Sequence, residues 1–216
     1  MEQGTDLALR CRCGTVRGIA RGVTPSSINH CFCYCDDCQA FAHFLGRADE
    51  VLDAHGGTEI TQMSQATVRF AAGVDKVAAM RLSPKGMIRW YASCCRTPIG
   101  NTMPTSAMPF IGVIKAFIDA PSAALGPIRG RGFKNSAKGG PSAVPKDGLP
   151  ELVMIARVLA KVLGWRLRGD HRRSALRNAT TAKPLVEPHV LEATEREDLR
   201  RRCARWRGEA PAGGST

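Results

Sequence analysis

Apolar and polar residues alternate over short stretches in the first half of the chain. The alternation runs through residues 7–13 and returns in residues 28–35, and a period of two is typical of a strand that buries one face. Gly14 and Thr15 stand between the first stretch and residues 16–21, which predicts a hairpin. Further strand candidates lie at residues 59–62, 67–70, 77–82, 87–91 and 110–114. Many short strands with frequent turn residues predict a mainly β fold, built as a sandwich or an open barrel.

The C-terminal part has the spacing of helices instead. Apolar residues three or four positions apart predict a helix from about residue 150 to 163 that continues towards Arg168. These apolar positions are Leu152, Ile155, Leu159, Val162 and Leu163. A second helix is predicted over residues 194–205, with Thr194 as its N-cap and Glu197 as its capping-box partner. The first helix is expected to pack on the β part, and contact with an anionic membrane surface is the alternative.

Charge divides the chain into unequal parts. The chain has 216 residues and a formal net charge of +12. Residues 1–125 hold 12 Lys and Arg against 10 Asp and Glu, whereas residues 126–216 hold 19 against 9, a net of +10. Residues 126–150 are rich in Gly, Pro and Lys, which is typical of an exposed loop or linker. We therefore predict a β domain over residues 1–125, a linker over 126–150 and a basic, partly helical extension over 151–216.

The composition excludes several classes of protein. Apolar residues make up 44% and charged residues 23%, so collagen-like, coiled-coil and wholly disordered chains are excluded. The apolar run over residues 110–118 is broken by Lys115 and is too short to cross a bilayer. The first six residues carry neither the basic cluster nor the apolar stretch of a secretory signal. We expect a cytoplasmic protein without a transmembrane segment.

Nine cysteines carry the strongest chemical signal in the sequence. They stand at positions 11, 13, 31, 33, 35, 38, 94, 95 and 203, so all but the last fall in tight clusters. In a cytoplasmic chain, clustered thiols indicate metal ligands or redox groups before they indicate disulfides. Cys203 lies in a basic, helix-like stretch far from the clusters and is expected to take no part.

Cys33, Cys35 and Cys38 form a C-x-C-x-x-C motif. On a strand the first two thiols share a face, and a turn at Asp36 and Asp37 would fold the third thiol back towards them. Three thiolates at one point suit a tetrahedral Zn²⁺, with Zn–S bonds of about 2.3 Å. The fourth position is left to water, a substrate thiol or another side chain. The nearest candidate side chains are His30, Cys31 and His43.

Two further pairs of cysteines could complete a second site. Cys11 and Cys13 form another C-x-C pair, which is followed by Gly14 at the hairpin turn. Cys94 and Cys95 come about 80 residues later and could close this site from a second hairpin, as in a zinc ribbon. Neighbouring residues on a strand point to opposite faces, so both can ligate only if the backbone is kinked.

Three motifs follow one another within residues 7–118. They are Cys11-x-Cys13-Gly14-x-Val16-x-Gly18, Cys33-x-Cys35-x-x-Cys38 and Cys95-x-Thr97-Pro98-Ile99-Gly100-Asn101. Their order and spacing resemble the glutathione-dependent formaldehyde-activating enzyme family, which includes centromere protein V. The resemblance implies a mainly β, Mss4-like zinc-binding fold, to which the basic, partly helical C-terminal extension is added.

The resemblance also implies two zinc sites and a reaction. The first C-x-C pair and the late motif would hold a structural zinc, and the C-x-C-x-x-C motif a second zinc near glutathione or solvent. The family joins glutathione and formaldehyde into S-hydroxymethylglutathione, a carbon–sulfur lyase activity named for the reverse direction. The late motif of the family is C-x-x-C-G-x-P, and here Ala92 stands at its first cysteine and Arg96 at its glycine. The candidate ligands for one or two Zn²⁺ per chain are Cys11, Cys13, Cys33, Cys35, Cys38, Cys94 and Cys95.

Other residues could complete such a reaction, and two other functions fit the same cysteines. Candidates to meet the carboxylates of glutathione are Arg12, Arg47 and Arg96, and candidate acids or bases are Asp36, Asp37 and His43. A zinc-stabilised binding module without catalysis would use the basic tail to bind nucleic acid or an anionic surface. A thiol redox sensor would use Cys94 and Cys95, or thiols released from a metal. Chemistry on glutathione or another small thiol is the leading prediction, and whether the chain is an enzyme is left open.

Overall fold

A computed structural model describes residues 4–208, in which strands predominate. The eleven strands of this range are β1 (Thr5–Arg10), β2 (Arg17–Val23), β3 (Asn29–Cys33), β4 (Thr58–Ser64), β5 (Val68–Ala72), β6 (Val77–Arg81), β7 (Ile88–Ala92), β8 (Thr97–Thr102), β9 (Phe110–Ile114), β10 (Gly130–Gly132) and β11 (His189–Val190). The α-helices are α1 (Asp36–Phe44), α2 (Ala48–Val51), α3 (Glu151–Leu167) and α4 (Ala193–Arg207). None of the helices in this range is long and apolar enough to cross a membrane.

The strands form two sheets. The smaller sheet is antiparallel and has the order β1-β2-β5. The larger sheet has the order β10-β3-β4-β9-β8-β7-β6-β11, and its edge strands β10 and β11 run parallel to their neighbours. The prediction of a mainly β fold is confirmed, and the Mss4-like arrangement stays a prediction.

The larger sheet has a hydrophobic core on each face. Trp90 of β7 is buried in the core against the smaller sheet, together with Val16. Tyr91, the next residue of the same strand, packs against the other core, where α1 contributes Phe41 and α4 contributes Leu199. Successive residues of a strand point to opposite faces, so β7 serves both cores at once. The molecule is therefore layered as small sheet, large sheet and helices.

Helix α1 starts where the sequence predicted a turn. Asp36 and Asp37 occupy the first turn of α1, and Cys35 is its N-cap, so the predicted turn at these two residues is wrong. Two carboxylates suit the positive end of the helix dipole, which is why an acidic pair also marks a helix start. The helix places Phe41 and Leu45 in the core, so this short segment is stabilised by packing more than by its own propensity.

The C-terminal part of the chain contributes to both edges of the larger sheet. Within the predicted linker over residues 126–150, β10 pairs with β3, and further along β11 pairs with β6. Helix α4 then packs on α1. Its N-cap is Glu192 with Glu195 as capping-box partner, so the predicted cap at Thr194 and partner at Glu197 are wrong.

Helix α3 lies across the β10 edge of the larger sheet. The side chain of Met154 lies against Gly130, in the space that a Cβ would occupy there. Trp165 is buried near the end of the helix. The helix therefore packs on the β part, as predicted, but not through its apolar stripe, because Leu152 and Leu159 of that stripe are exposed.

A buried histidine pairs with a glutamate between β3 and β4. His30 Nε2 lies 2.9 Å from Glu59 Oε1, and Nδ1 lies 2.9 Å from the carbonyl oxygen of Gly126. Burial alone would lower the pKa of His30, but the bonds to Glu59 and Gly126 outweigh it and raise the pKa above 6.5. At Glu59 burial would raise the pKa, but the hydrogen bond with His30 outweighs burial and lowers the pKa below 4.5. At pH values between the pKa of Glu59 and the pKa of His30, the carboxylate is ionised and the imidazole is protonated, so the ion pair is present.

We expect this pair to make stability depend on pH. A raised histidine pKa contributes stability that is fully present below the unfolded value, near 6.5, and is lost as the pH rises through the folded value. The free-energy difference between wild type and His30→Gln should therefore be largest near pH 6 and shrink as the pH rises beyond about 6.5. Urea unfolding of both proteins across this range measures it. A difference that stays constant with pH would show that His30 is neutral in the folded protein.

Candidate metal centres

Four thiols meet between the β1–β2 turn and the β7–β8 turn. The sulfur atoms of Cys11, Cys13, Cys94 and Cys95 all lie within 4.8 Å of one another. The Sγ–Sγ distance is 3.5 Å for Cys11–Cys13, 3.4 Å for Cys13–Cys94 and 3.9 Å for Cys11–Cys94. We name this group the four-cysteine cluster. It joins two hairpins that are far apart in the sequence.

The backbone between β7 and β8 explains how two adjacent cysteines reach one site. β7 ends at Ala92 and β8 begins at Thr97, so Cys94 and Cys95 lie in a turn. Arg96 closes this turn with a φ of 57°, and its N–H donates to the carbonyl oxygen of Ala92 at 2.8 Å. The required kink is thus present. Ala92 is fully buried in the core, and Cys94 and Cys95 both reach the cluster from the turn that follows it.

Arg96 is held in place by the C-terminal end of α1. Its Nε donates to the carbonyl oxygen of Leu45 at 3.0 Å, and its Nη2 donates to that of Phe44. The guanidinium also lies 5.3 Å from the centroid of the Phe44 ring. A side chain in the left-handed region is strained, and these contacts with the negative end of the helix offset the strain. Arg96 therefore connects the four-cysteine cluster to the helix that carries Cys38.

Three more thiols meet at the other end of α1. Cys33 ends β3, Cys35 is the N-cap of α1 and Cys38 lies in its first turn. Their sulfur atoms lie within 4.8 Å of one another, and Cys33 and Cys35 are 3.3 Å apart. We name this group the three-cysteine cluster. Among the described residues, none of the predicted candidates for a fourth ligand joins it; these are His30, Cys31 and His43.

A buried arginine stands beside the three-cysteine cluster. Arg89 of β7 is only 2% exposed, and its Nη1 lies 3.9 Å from Cys38 Sγ. It donates to Asn101 Oδ1 at 3.2 Å and to Asp37 Oδ2 at 3.3 Å. Its guanidinium lies 5.5 Å from the centroid of the Phe41 ring. Every side of this cation therefore has a partner, and the cluster is one of them.

Arg89 is not among the predicted site residues, which include other arginines. Arg12 and Arg47 both pair with Glu50, at the mouth of a separate groove. Alternation along β7 puts Arg89 on the face opposite Trp90, which a two-layer fold would leave in water. Predicting α1 would have pointed to Arg89, because a helix that covers this face of β7 buries the arginine that the face carries.

The charges of the three-cysteine cluster favour one thiolate. Hydrogen bonds from Cys33 and Cys35, together with the Arg89 guanidinium, hold the pKa of Cys38 well below its usual range despite complete burial. The hydrogen bonds to its two neighbours and burial raise the pKa of Cys33. The bond from Cys33 lowers the pKa of Cys35, but the bond to Cys38 and burial outweigh it and raise that pKa to about 12. A metal ion would find one thiolate ready and would displace protons from the others.

The four-cysteine cluster also contains a ready thiolate. Hydrogen bonds with the side chain and backbone of Thr15 lower the pKa of Cys13 to about 6. Burial raises the pKa of Cys11, and burial followed by the bonds to Cys13 and Cys11 raises that of Cys94 to about 12. At Cys95 burial would raise the pKa, but hydrogen bonds with Thr97 and with the backbone of Cys13 outweigh it and lower the pKa. Each cluster thus combines at least one thiol of lowered pKa with thiols that ionise when a cation binds.

Both clusters fit a zinc ion. Two ligands of a tetrahedral zinc with bonds of about 2.3 Å are about 3.8 Å apart. The hydrogen-bonded sulfur pairs described above are separated by 3.3 to 3.9 Å. Thiolates are soft ligands that select zinc over magnesium or calcium. Both groups could therefore hold metal ions, with four protein ligands at one and three at the other.

These observations define a class: a mainly β protein with two cysteine clusters that could each hold a metal ion. Over residues 4–188 the chain matches the model of a family of unknown function, DUF6151, and it belongs to that family. The matched region includes both clusters and α3, and it ends before α4, which carries Cys203. No curated protein matches the chain.

Proposed function

We propose that the protein is a zinc enzyme of small-thiol chemistry whose reactive site is the three-cysteine cluster. The observation that carries the proposal is the difference between the clusters, since four thiols converge at one and three at the other. Zinc with four protein ligands is typical of structural sites, and zinc with three keeps a position for water or substrate. The four-cysteine cluster is then the structural site.

The substrate we propose is an adduct of formaldehyde with glutathione or a similar thiol, and the activity is that of a carbon–sulfur lyase. The motif resemblance to the formaldehyde-activating enzymes supports this choice. In the synthetic direction the thiolate sulfur attacks the carbonyl carbon, the C=O π electrons move to oxygen, and that oxygen takes up the proton lost by the thiol. Zinc at the three-cysteine cluster would keep an incoming thiol deprotonated, which is its nucleophilic form.

Arg89 would adjust the charge of this site. Three thiolates around a divalent cation leave one negative charge, which weakens attraction for an anionic thiol. The Arg89 guanidinium adds one positive charge in a buried position, where charges interact strongly. Asp37 pairs with Arg89 and also borders a groove of about 660 Å³ between α1 and α4. Arg196 and Arg200 line this groove and could meet the two carboxylates of glutathione.

Exchange spectroscopy tests this function. In ¹³C NMR with labelled formaldehyde and glutathione, we expect zinc-loaded wild type to accelerate exchange between free formaldehyde and S-hydroxymethylglutathione above the spontaneous rate. Cys35→Ser should return the exchange to the spontaneous rate, because it removes one of three ligands from the reactive site.

The control replaces a residue outside both clusters and outside the groove between α1 and α4. Leu159→Gln should exchange as fast as wild type, since Leu159 is an exposed residue of α3 that lines neither site. A zinc-loaded wild type that leaves the spontaneous rate unchanged would refute the enzyme and favour the zinc-stabilised binding module.

A further inference from the structure

Helix α3 presents its apolar side to solvent and its charged side to the protein. Leu152 and Leu167 are each 80% exposed, and Leu159 is 60% exposed. Arg157 and Lys161 instead face the body of the molecule. A surface helix normally turns its apolar stripe to the core and its charges to water. This inverted orientation leaves a whole apolar face without a partner.

Polar bonds to the body hold α3 in this orientation. Arg157 Nε donates to Asn29 Oδ1 at 2.6 Å, and Lys161 Nζ donates to the carbonyl oxygen of Ser26. Burial of Trp165 and the close contact of Met154 with β10 complete the attachment. Because α3 is attached near both of its ends, its apolar face stays turned to solvent.

The exposed face is continuous along the helix. The exposed residues of α3 beyond its first position are Leu152, Val153, Ile155, Ala156, Leu159, Ala160, Leu163, Arg166 and Leu167, and the arginine is the only charged one among them. Seventeen residues of helix are about 25 Å long. Phe133, 66% exposed, continues the apolar surface beyond the start of α3, across a groove of about 390 Å³ that Leu149 and Met154 also line.

Basic residues stand next to this apolar face. Beyond the helix end the chain adds three more arginines, Arg168, Arg172 and Arg173. Arg168 and Arg173 pair with the buried Asp170, so these four residues together carry a charge of +2. The whole part from residue 126 to 216 carries a net charge of +10. Two copies of so cationic a part would repel each other if their α3 faces met, whereas an anionic surface complements it.

We propose that α3 lies in the interface of an anionic lipid membrane, with its leucine face inserted below the headgroups. Leucines on one face and nearby arginines are the features that hold a helix in the plane of a membrane surface. Each basic residue near an anionic leaflet adds to the attraction. Nucleic acid would engage the arginines but would leave the leucines in water, so it does not account for the face.

Vesicle sedimentation tests this binding with the full-length, zinc-loaded protein. We expect wild type to sediment with phosphatidylcholine vesicles that contain about 30% phosphatidylserine, and much less with phosphatidylcholine alone. Binding should weaken as salt is added, because surface charges are screened. Leu159→Gln/Leu163→Gln should lower the affinity by about 100-fold, since each leucine contributes roughly tenfold.

The control variant is Val74→Gln, which removes an exposed valine from the turn between β5 and β6 and should bind vesicles like wild type. Sedimentation equilibrium without lipid should show a monomer. Three results would overturn the proposal: no binding of wild type to the anionic vesicles, equal binding of the leucine variant, or a dimer that the leucine variant abolishes. The last result would make the face an interface between two copies.

Discussion

Purified protein is expected to contain two zinc ions per chain, and Cys13→Ser and Cys35→Ser are each expected to remove one of them. The two losses should differ in their effect on stability. The four-cysteine cluster joins Cys11 to Cys94, 83 positions apart, whereas the three-cysteine cluster spans only residues 33–38. A cross-link stabilises a protein by restricting the unfolded chain. The expected gain is about 4.5 kcal/mol for the loop from residue 11 to residue 94 and about 2 kcal/mol for the loop from residue 33 to residue 38. Cys13→Ser should therefore lower the free energy of unfolding by roughly 2 kcal/mol more than Cys35→Ser.

Elemental analysis of metal per chain and urea unfolding measure these two quantities on the same samples. Cys203→Ser is the control, because it alters a buried thiol that belongs to neither cluster and should retain both ions. Wild type purified without chelator that holds no zinc would refute both centres. A single ion lost only in Cys13→Ser would leave the three-cysteine cluster as a group of thiols and favour the redox sensor.

Arg89→Met should weaken zinc binding at the three-cysteine cluster about 10- to 100-fold and leave the four-cysteine cluster unchanged. The guanidinium lies 3.9 Å from Cys38 Sγ, so its loss leaves a buried thiolate without its nearest cation. Groups that support the ligands of a metal site typically change affinity by about this factor when they are removed. The change corresponds to about 1.4 to 2.7 kcal/mol.

Competition with a chromogenic zinc chelator measures both affinities in one titration. Arg89→Lys keeps the charge but loses the fork that reaches Asp37 and Asn101 together, so it should recover part of the affinity. Arg21→Met is the control, since that arginine is exposed on β2 and belongs to neither cluster. If Arg89→Met binds zinc as wild type does, the arginine serves packing alone.

Sequence periodicity was sufficient to predict most strands and one long helix. Alternation placed the first hairpin, because β1 buries Leu7 and Leu9 on one face and exposes the residues that alternate with them on the other. It also placed the strand that ends at Cys33. Spacing of three and four placed α3 within a few residues of Glu151–Leu167. Which face of α3 meets the protein did not follow, because periodicity shows that an apolar face exists and not what covers it.

The cysteine clusters were predictable as groups, and their detailed geometry was not. Two thiols two positions apart point the same way on any strand, so the C-x-C pairs needed no tertiary information. Cys94 and Cys95 needed a turn with Arg96 in the left-handed region, a conformation that sequence rules reserve mainly for glycine. That conformation depends on carbonyl groups of α1, which are distant in the sequence.

The contact of Arg96 with α1 couples metal binding at the two clusters. The same arginine orders the turn of Cys94 and Cys95 and holds the end of the helix whose start carries Cys38. A metal ion that orders the turn of Cys94 and Cys95 also helps to order α1 through Arg96. Less conformational entropy is then lost when a second ion binds at the three-cysteine cluster. Such linkage is reciprocal, so each ion raises the affinity for the other by the same factor. A variant that has lost one ion should therefore hold the remaining ion less tightly than wild type does.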